Sequence, residues 1–203
     1  MDKDKLLKNL EKRGFKAVYF DTKEEAAKYI LSNVKNKTVG IGGSETVKEM
    51  GLGEALKENN KVFWHWDKEL KEKEGLKGAR DLAAKADIYL ASVNAISEEG
   101  SLINIDGTGN RLASTCYGHE KTYFLIGENK VEPNFEKAMW RARNVAAPQN
   151  AYRLKVKTPC AIKGDKCYDC NSPERICRGF LTIERPMKSM EMEIVLIGER
   201  LGM

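Results

Sequence analysis

The sequence predicts an α/β fold, a mainly parallel central sheet flanked by helices. Short β-branched and aromatic runs alternate with longer segments of helical periodicity through the first half of the chain. A glycine-rich junction, Val39-Gly40-Ile41-Gly42-Gly43-Ser44, passes from a strand pattern to a helix pattern inside that alternation. At 203 residues the chain can bury a full-sized core, and no Pro/Gly/Ser-rich run or charge block divides it, so one α/β domain over 1–203 is expected.

Leu6, Leu7 and Leu10 mark an opening helix. Thr22-Lys23-Glu24-Glu25 is a capping box, in which the Thr22 hydroxyl and the Glu25 carboxylate each accept from the other's backbone N–H, ahead of the helical face Ala27, Ile30, Leu31, Val34. Two helices are therefore expected before the first strand, Lys37-Thr38-Val39-Gly40-Ile41. Gly42-Gly43-Ser44 then turns the chain into a helix carrying Val47, Met50, Ala55 and Leu56, interrupted by Gly51 and Gly53. Val62-Phe63-Trp64 reads as a strand, 76–86 as a helix, and Asp87-Ile88-Tyr89-Leu90-Ala91 as a strand followed by Asn94. Between 101 and 126 the rhythm shortens to segments 102–105, 112–115 and 123–126, expected as consecutive strands between Gly and Asp turns. Phe135, Ala138, Met139, Ala142 and Ala146 form one helical face, with Pro148 as its stop. Residues 159–179 are a cysteine-rich excursion, followed by strands at 181–183 and 193–197.

Composition narrows the function classes. The N-terminus is charged and lacks an apolar leader, and no run approaches the roughly 18 apolar residues of a spanning helix, so neither export nor membrane insertion is expected and the location is read as cytoplasmic. The net charge of +5, from 35 Lys and Arg against 30 Asp and Glu, is dispersed rather than gathered into a nucleic-acid patch. A small anionic organic acid or phosphorylated metabolite fits the charge equally well and is the expected partner, with no nucleic acid and no membrane.

The glycine-rich junction points backbone N–H groups and a helix start at one spot, where an anion can replace water; Gly42, Gly43, Ser44 and Thr46 are the ligand-binding candidates there. The loop has no Gly-Lys-Ser/Thr ending and lacks the dinucleotide spacing, so neither ATP nor NAD follows from it. Its structural alternative is a helix cap with glycines that allow close strand–helix packing. Asn94 and the loop Asp106-Gly107-Thr108-Gly109-Asn110-Arg111 stand at strand ends, where open α/β sheets bind ligands, which adds Asn94, Asp106, Gly107, Gly109, Asn110 and Arg111. Asp106 is either a general base or the anchor of an Asx-turn, and Arg111 either clamps an anion or pairs with Asp106.

His119, in Cys116-Tyr117-Gly118-His119-Glu120, is an acid–base candidate, with a surface histidine as its alternative. Cys116 reads as a structural thiol. His65, between Trp64 and Trp66, reads as part of an aromatic surface that is either an oligomer contact or a ligand platform.

Cys160, Cys167, Cys170 and Cys177 are spaced with six, two and six residues between them. Four soft thiolates this close suit zinc or an iron–sulfur cluster; one short knuckle with two longer arms favours a 4Fe–4S cluster over Zn. Reduced thiols or a Cys167–Cys170 redox disulfide remain the alternatives.

The segments Asn94-Ala95-Ile96, Gly100-Ser101-Leu102, Asp106-Gly107-Thr108-Gly109-Asn110-Arg111, Gly127-Glu128-Asn129-Lys130-Val131 and Arg141-Ala142-Arg143-Asn144, in that order, resemble the LUD-domain family of lactate-utilisation proteins, C type. The cysteine segment resembles a variant of that family with an added four-cysteine motif. The resemblance implies the fold shared by ribose-5-phosphate isomerase, glucosamine-6-phosphate deaminase and the CoA-transferases. It implies a part in L-lactate or related organic-acid utilisation, as an anion-binding component of an oxidoreductase system beside iron–sulfur or flavin protein partners. Where the family often has proline after a glycine this chain has Gly118-His119, so His119 inherits no role. A small-molecule isomerase or acyl/CoA transferase, a non-catalytic electron-transfer assembly subunit, and a homo-oligomer remain as alternative expectations.

Overall fold

The computed structural model describes residues 2–203. Its centre is a six-stranded sheet in which every neighbouring pair is parallel, in the order β1 (Lys16–Phe20), β10 (Glu191–Ile197), β7 (Lys121–Gly127), β4 (Ile88–Ala91), β2 (Thr38–Ile41) and β3 (Lys61–Trp64). A parallel sheet must be covered on both faces, and the period-2 alternation of its strands supplies two apolar surfaces. Tyr123, Leu125, Val195 and Ile197 face one way, against α2 (Lys23–Asn33), α3 (Glu45–Glu49) and α4 (Leu52–Ala55). Phe124, Ile126, Ile194 and Leu196 face the other way, against α1 (Lys3–Lys12) and a smaller sheet.

That smaller sheet has the order β8 (Val131–Glu132), β5 (Ala95–Ser97), β6 (Leu102–Asp106) and β9 (Gly179–Ile183), with β6 antiparallel to both of its neighbours. Its outer face packs against alanines of α7 (Phe135–Arg141) and of the helical turns that follow it. Helix α5 (Lys68–Ala83) covers the β3 edge. No described helix is long and apolar enough to cross a membrane.

The α/β class and the mainly parallel sheet agree with the sequence, and the Thr22–Glu25 capping box forms as expected. Three local expectations are corrected. A strand, β1, intervenes between the first two helices, because Lys16–Phe20 pairs in register with Glu193–Ile197 at the far end of the chain. Residues 112–115 are not a strand. Asp106 ties down the N–H groups of Thr108 and Gly109, Gly109 turns at φ +90°, and the chain enters α6 (Asn110–Ser114).

Pro148 does not stop the third helical segment. Ala142–Ala146 forms a π turn, with the Ala147 N–H bonded to the Ala142 carbonyl, and α8 (Ala147–Arg153) continues with Pro148 in its first turn. Proline has no N–H to give and its ring crowds a preceding carbonyl, and the wider turn accommodates both.

The fit of α5 on the sheet depends on Gly40. A Cβ there would stand 2.2 Å from the Ala83 carbonyl oxygen, so Gly40→Ala must push the end of α5 off β2. The expected cost is about 1–3 kcal/mol. Urea unfolding should show it as a lower midpoint with unchanged slope; an unaltered midpoint would mean that the contact is not tight.

Candidate functional site

The parallel strands all end on the same edge of the sheet. The connection from β2 goes outward to β3, while β4 and its neighbours continue in the opposite direction, so the chain diverges between β2 and β4. Such a divergence opens a crevice at the strand ends. A cleft of about 600 Å³ lies there, lined by residues following β2, β3, β4 and β7 and by the loop after β6.

Of the residues singled out in the sequence, the cleft gathers Gly43, Ser44, Thr46, Asn94, Asp106, Gly107, Asn110 and Arg111; Gly42, Gly109 and His119 are not in its lining. Ser44 caps α3 by accepting from the Val47 N–H, but α3 has only five residues and its summed dipole is small. The glycines serve close approach: a Cβ on Gly42 would meet the Tyr89 hydroxyl at 2.7 Å, and one on Gly43 would meet His65 Nε2 at 3.3 Å.

Asp106 is committed to structure. Its Oδ1 accepts from the Thr108 and Gly109 N–H groups at 2.8 and 2.9 Å, and its Oδ2 lies 3.4 Å from Arg111 Nε. Arg111 in turn donates through Nη2 to Asn94 Oδ1 and the Ile105 carbonyl. The Asx-turn and the ion pair are thus both present, and the arrangement holds Arg111 at the cleft rather than freeing Asp106 as a base.

His119 sits behind Tyr89, stacked on it at 4.8 Å, with Nδ1 2.6 Å from the Ala86 carbonyl. Burial lowers its pKa. Neither histidine is a surface group: His119 is buried away from the cleft, whereas His65 is buried, lines the cleft, and has no protein partner for Nδ1 among the described residues. Burial, with Arg80 adding to it, pushes His65 down to about 4, so the ring is neutral near pH 7. Trp64 is core, packed under Gly53, while Trp66 lines the cleft and carries the Arg153 guanidinium 5.1 Å above its ring. Cys116 packs on the core, and burial raises its thiol pKa.

The feature that residue-by-residue reading missed is Lys130. It is 3% exposed and lines the cleft, with Nζ 2.8 Å from Thr46 Oγ1 and 2.9 Å from Ser92 Oγ. No carboxylate among the described residues pairs with it. Burial, reinforced by the positive charges of Arg141 and Arg111, pushes the amine down to about 7. Nothing in the local pattern Glu128-Asn129-Lys130-Val131 announces this, because the environment is assembled by strand ends far apart in sequence.

The cysteine segment forms a wall of the same cleft through Pro173, Glu174, Arg175, Ile176 and Arg178. The Arg178 N–H donates to the Asp106 carbonyl, and a Cβ on Gly107 would stand 2.9 Å from the Ile176 carbonyl oxygen. The thiols have separate surroundings: Cys160 Sγ is 3.3 Å from the Thr158 hydroxyl, Cys167 accepts from the Asp169 N–H, and Cys177 accepts from Arg175. Among the described residues no three His, Cys, Asp or Glu side chains form a group that could hold a metal. The donor chemistry suits a four-thiolate centre; the placement of the side chains does not.

Seven basic side chains line the cleft against three acidic ones. Two of the basic groups, Arg80 and Arg175, have buried Nε donors without a protein acceptor among the described residues.

Comparison with known proteins adds the family. A family model described as LUD domain matches residues 3–197. A structural similarity with TM-score 0.53 and 11% identity, covering 97% of this chain and 99% of the other, is to a DUF162 family protein from Deinococcus radiodurans. A weaker one, with TM-score 0.36 and 17% identity over 56% of this chain and 54% of the other, is to ribose 5 phosphate isomerase A from Neisseria gonorrhoeae. No curated protein matches the chain by sequence.

The state of Lys130 is open to measurement through stability. With its pKa near 7 when folded and near 10.5 when unfolded, the unfolded chain holds a proton between those values that the native chain lacks. Wild-type stability therefore rises with pH across this window and is lost as pH falls through it. Lys130→Met lacks that dependence. Its stability relative to wild type should increase from pH 10 to pH 7 by on the order of 3–5 kcal/mol, read from urea midpoints. A difference that stays constant with pH would show an ordinary lysine.

Proposed function

Because the chain belongs to the LUD domain family, we propose that it serves L-lactate or related organic-acid utilisation by binding a small anionic acid or phosphorylated metabolite in the cleft. The observation that carries this reading is the pair of buried Nε donors of Arg80 and Arg175, each without a protein acceptor among the described residues, in a lining with a basic excess. A buried donor without an acceptor costs about 1–3 kcal/mol, and an anionic ligand that supplies the acceptor recovers it. Lys71, Arg111 and Arg153 add positive charge around the same space. The protein acts as the ligand-binding component of an oxidoreductase system, with iron–sulfur or flavin proteins as partners. An isomerase or acyl-transfer role for Asp106 has less support, since both carboxylate oxygens are engaged by the loop and by Arg111.

The four-cysteine motif belongs to this proposal as a variable wall of the cleft. A 4Fe–4S cluster, or Zn in its place, on Cys160, Cys167, Cys170 and Cys177 requires the segment to rearrange, because its thiols are not grouped. Such a rearrangement would move Arg175, which holds the Cys170 carbonyl and the Cys177 sulfur. Protein purified without oxygen should contain iron and acid-labile sulfide in equal amounts if a cluster forms, or zinc without sulfide if the site is structural. Protein free of all three would leave the cysteines as plain thiols.

Titration calorimetry with L-lactate, pyruvate and inorganic phosphate tests the binding reading. At least one should bind, and Arg80→Gln should weaken it by about tenfold or more, the worth of a hydrogen bond to a charged group. Binding to none of them by the wild-type protein would count against the reading, and full affinity in Arg80→Gln would take that guanidinium out of the site.

A further inference from the structure

The hydrogen-bond directions around Lys130 define what its amine can do. The Ser92 hydroxyl donates its proton to the Leu125 carbonyl at 2.5 Å, and the Thr46 hydroxyl donates to the Leu201 carbonyl at 3.4 Å. Each hydroxyl has one proton, so both oxygens face Lys130 Nζ as acceptors, and the amine donates to both. An ammonium would have a third N–H to place. No carboxylate among the described residues hydrogen-bonds it, and the charges of Arg141 and Arg111, which oppose an ammonium, outweigh the weaker favourable charge of Glu49. A neutral amine is matched by the site: its two N–H bonds are used, and its lone pair occupies the one remaining tetrahedral direction.

A neutral amine with a free lone pair at a ligand cleft is a nucleophile toward electrophilic carbon. The cleft reads as an anion site, and the simplest anions that also carry such a carbon are acids with a carbonyl beside the carboxylate. We propose that Lys130 is a nucleophilic amine that forms an imine with the keto carbon of a 2-oxo acid bound in the cleft. This rests on the anion-binding reading above and deepens it.

The chemistry balances without a further reactant. The Nζ lone pair forms the C–N bond while the carbonyl π pair moves to oxygen, and a proton passes from nitrogen to oxygen to give the carbinolamine. The hydroxyl then leaves with the second amine proton as water, forming C=N. No electron is gained or lost. The Ser92 and Thr46 oxygens orient the amine before attack and lose their N–H donors as the imine forms. The basic lining keeps the carboxylate in place, and Lys130 thereby distinguishes a 2-oxo acid from the corresponding 2-hydroxy acid, which has no carbon to accept the amine.

The test is reductive trapping on the intact wild-type protein. It is incubated with pyruvate, glyoxylate or L-lactate in the presence of cyanoborohydride, digested, and mapped by mass spectrometry. The reduced adduct should appear on Lys130 with the oxo acids ahead of every surface lysine, and not with L-lactate. The labelling rate at Lys130 should reach half its maximum near pH 7, whereas surface lysines continue to gain reactivity toward pH 10. Adducts confined to surface lysines would overturn the proposal. Calorimetry with the same acids separates the two levels: an oxo acid that binds without labelling Lys130 removes the imine and leaves the anion site, while acids that neither bind nor label remove both.

Discussion

All six strands of the central sheet run in one direction, and every segment that leaves a strand does so at the same edge. Buried on both faces, the sheet leaves that edge as the place where polar groups from distant parts of the sequence meet. Thr46 arrives from the first turn of α3 after β2, Ser92 from the end of β4, and Lys130 from the turn after β7, where its amine donates to both hydroxyls. The tail reaches the same point through the Leu201 carbonyl. The lysine is buried because it closes this junction, and its basicity falls first because burial removes water from the charged form and then because Arg141 and Arg111 repel it.

The smaller sheet gives the cleft its second side. Its strand β6 ends at Asp106, whose side chain turns the chain into α6 and whose backbone carbonyl accepts from Arg178 in the cysteine segment. The absence of a side chain on Gly107 lets the Ile176 backbone lie against the loop. Arg111 and Arg175 therefore face one space from opposite walls, one held by an acidic turn and the other by sulfur and carbonyl acceptors of the cysteine segment. A change in the state of Cys170 or Cys177 reaches the cleft through Arg175, which hydrogen-bonds both residues.

What could be read from the sequence was what short spans encode. The Thr22–Glu25 cap, the glycine junction after β2 and the strand β4 each depend on neighbours within a few residues, and each formed where expected. Asp106 and Arg111 were also legible as a pair, five residues apart on one loop. The edge strand β1 was not, because Lys16–Phe20 is a strand only beside Glu193–Ile197. Lys130 and Arg80 carry no local mark: each became part of the site when a helix or a neighbouring strand end removed water from it, whereas His65 was marked by its flanking tryptophans but not as a buried group. The cysteines show the converse. Their spacing suggested a cage, yet their local hydrogen bonds turn the sulfurs to different neighbours.

The π turn before Pro148 sets the rotational phase of everything after it. One extra residue in a helical turn rotates the following side chains by about 100° relative to an uninterrupted α-helix. Ala138 before the turn, Ala142 at its start and Ala147 just after it pack on the small sheet, while Asn150 and Arg153 further along line the cleft. One rod thus presents two surfaces with different partners. Deleting a single residue from Ala142–Ala146 would let the helix run in regular α phase into Pro148, and it would swing Ala147 off the small sheet and Arg153 away from Trp66 while leaving Ala138 seated. The shape of the basic rim is in this sense a matter of counting residues along a helix, and an insertion or deletion there would act on the cleft as directly as a substitution within it.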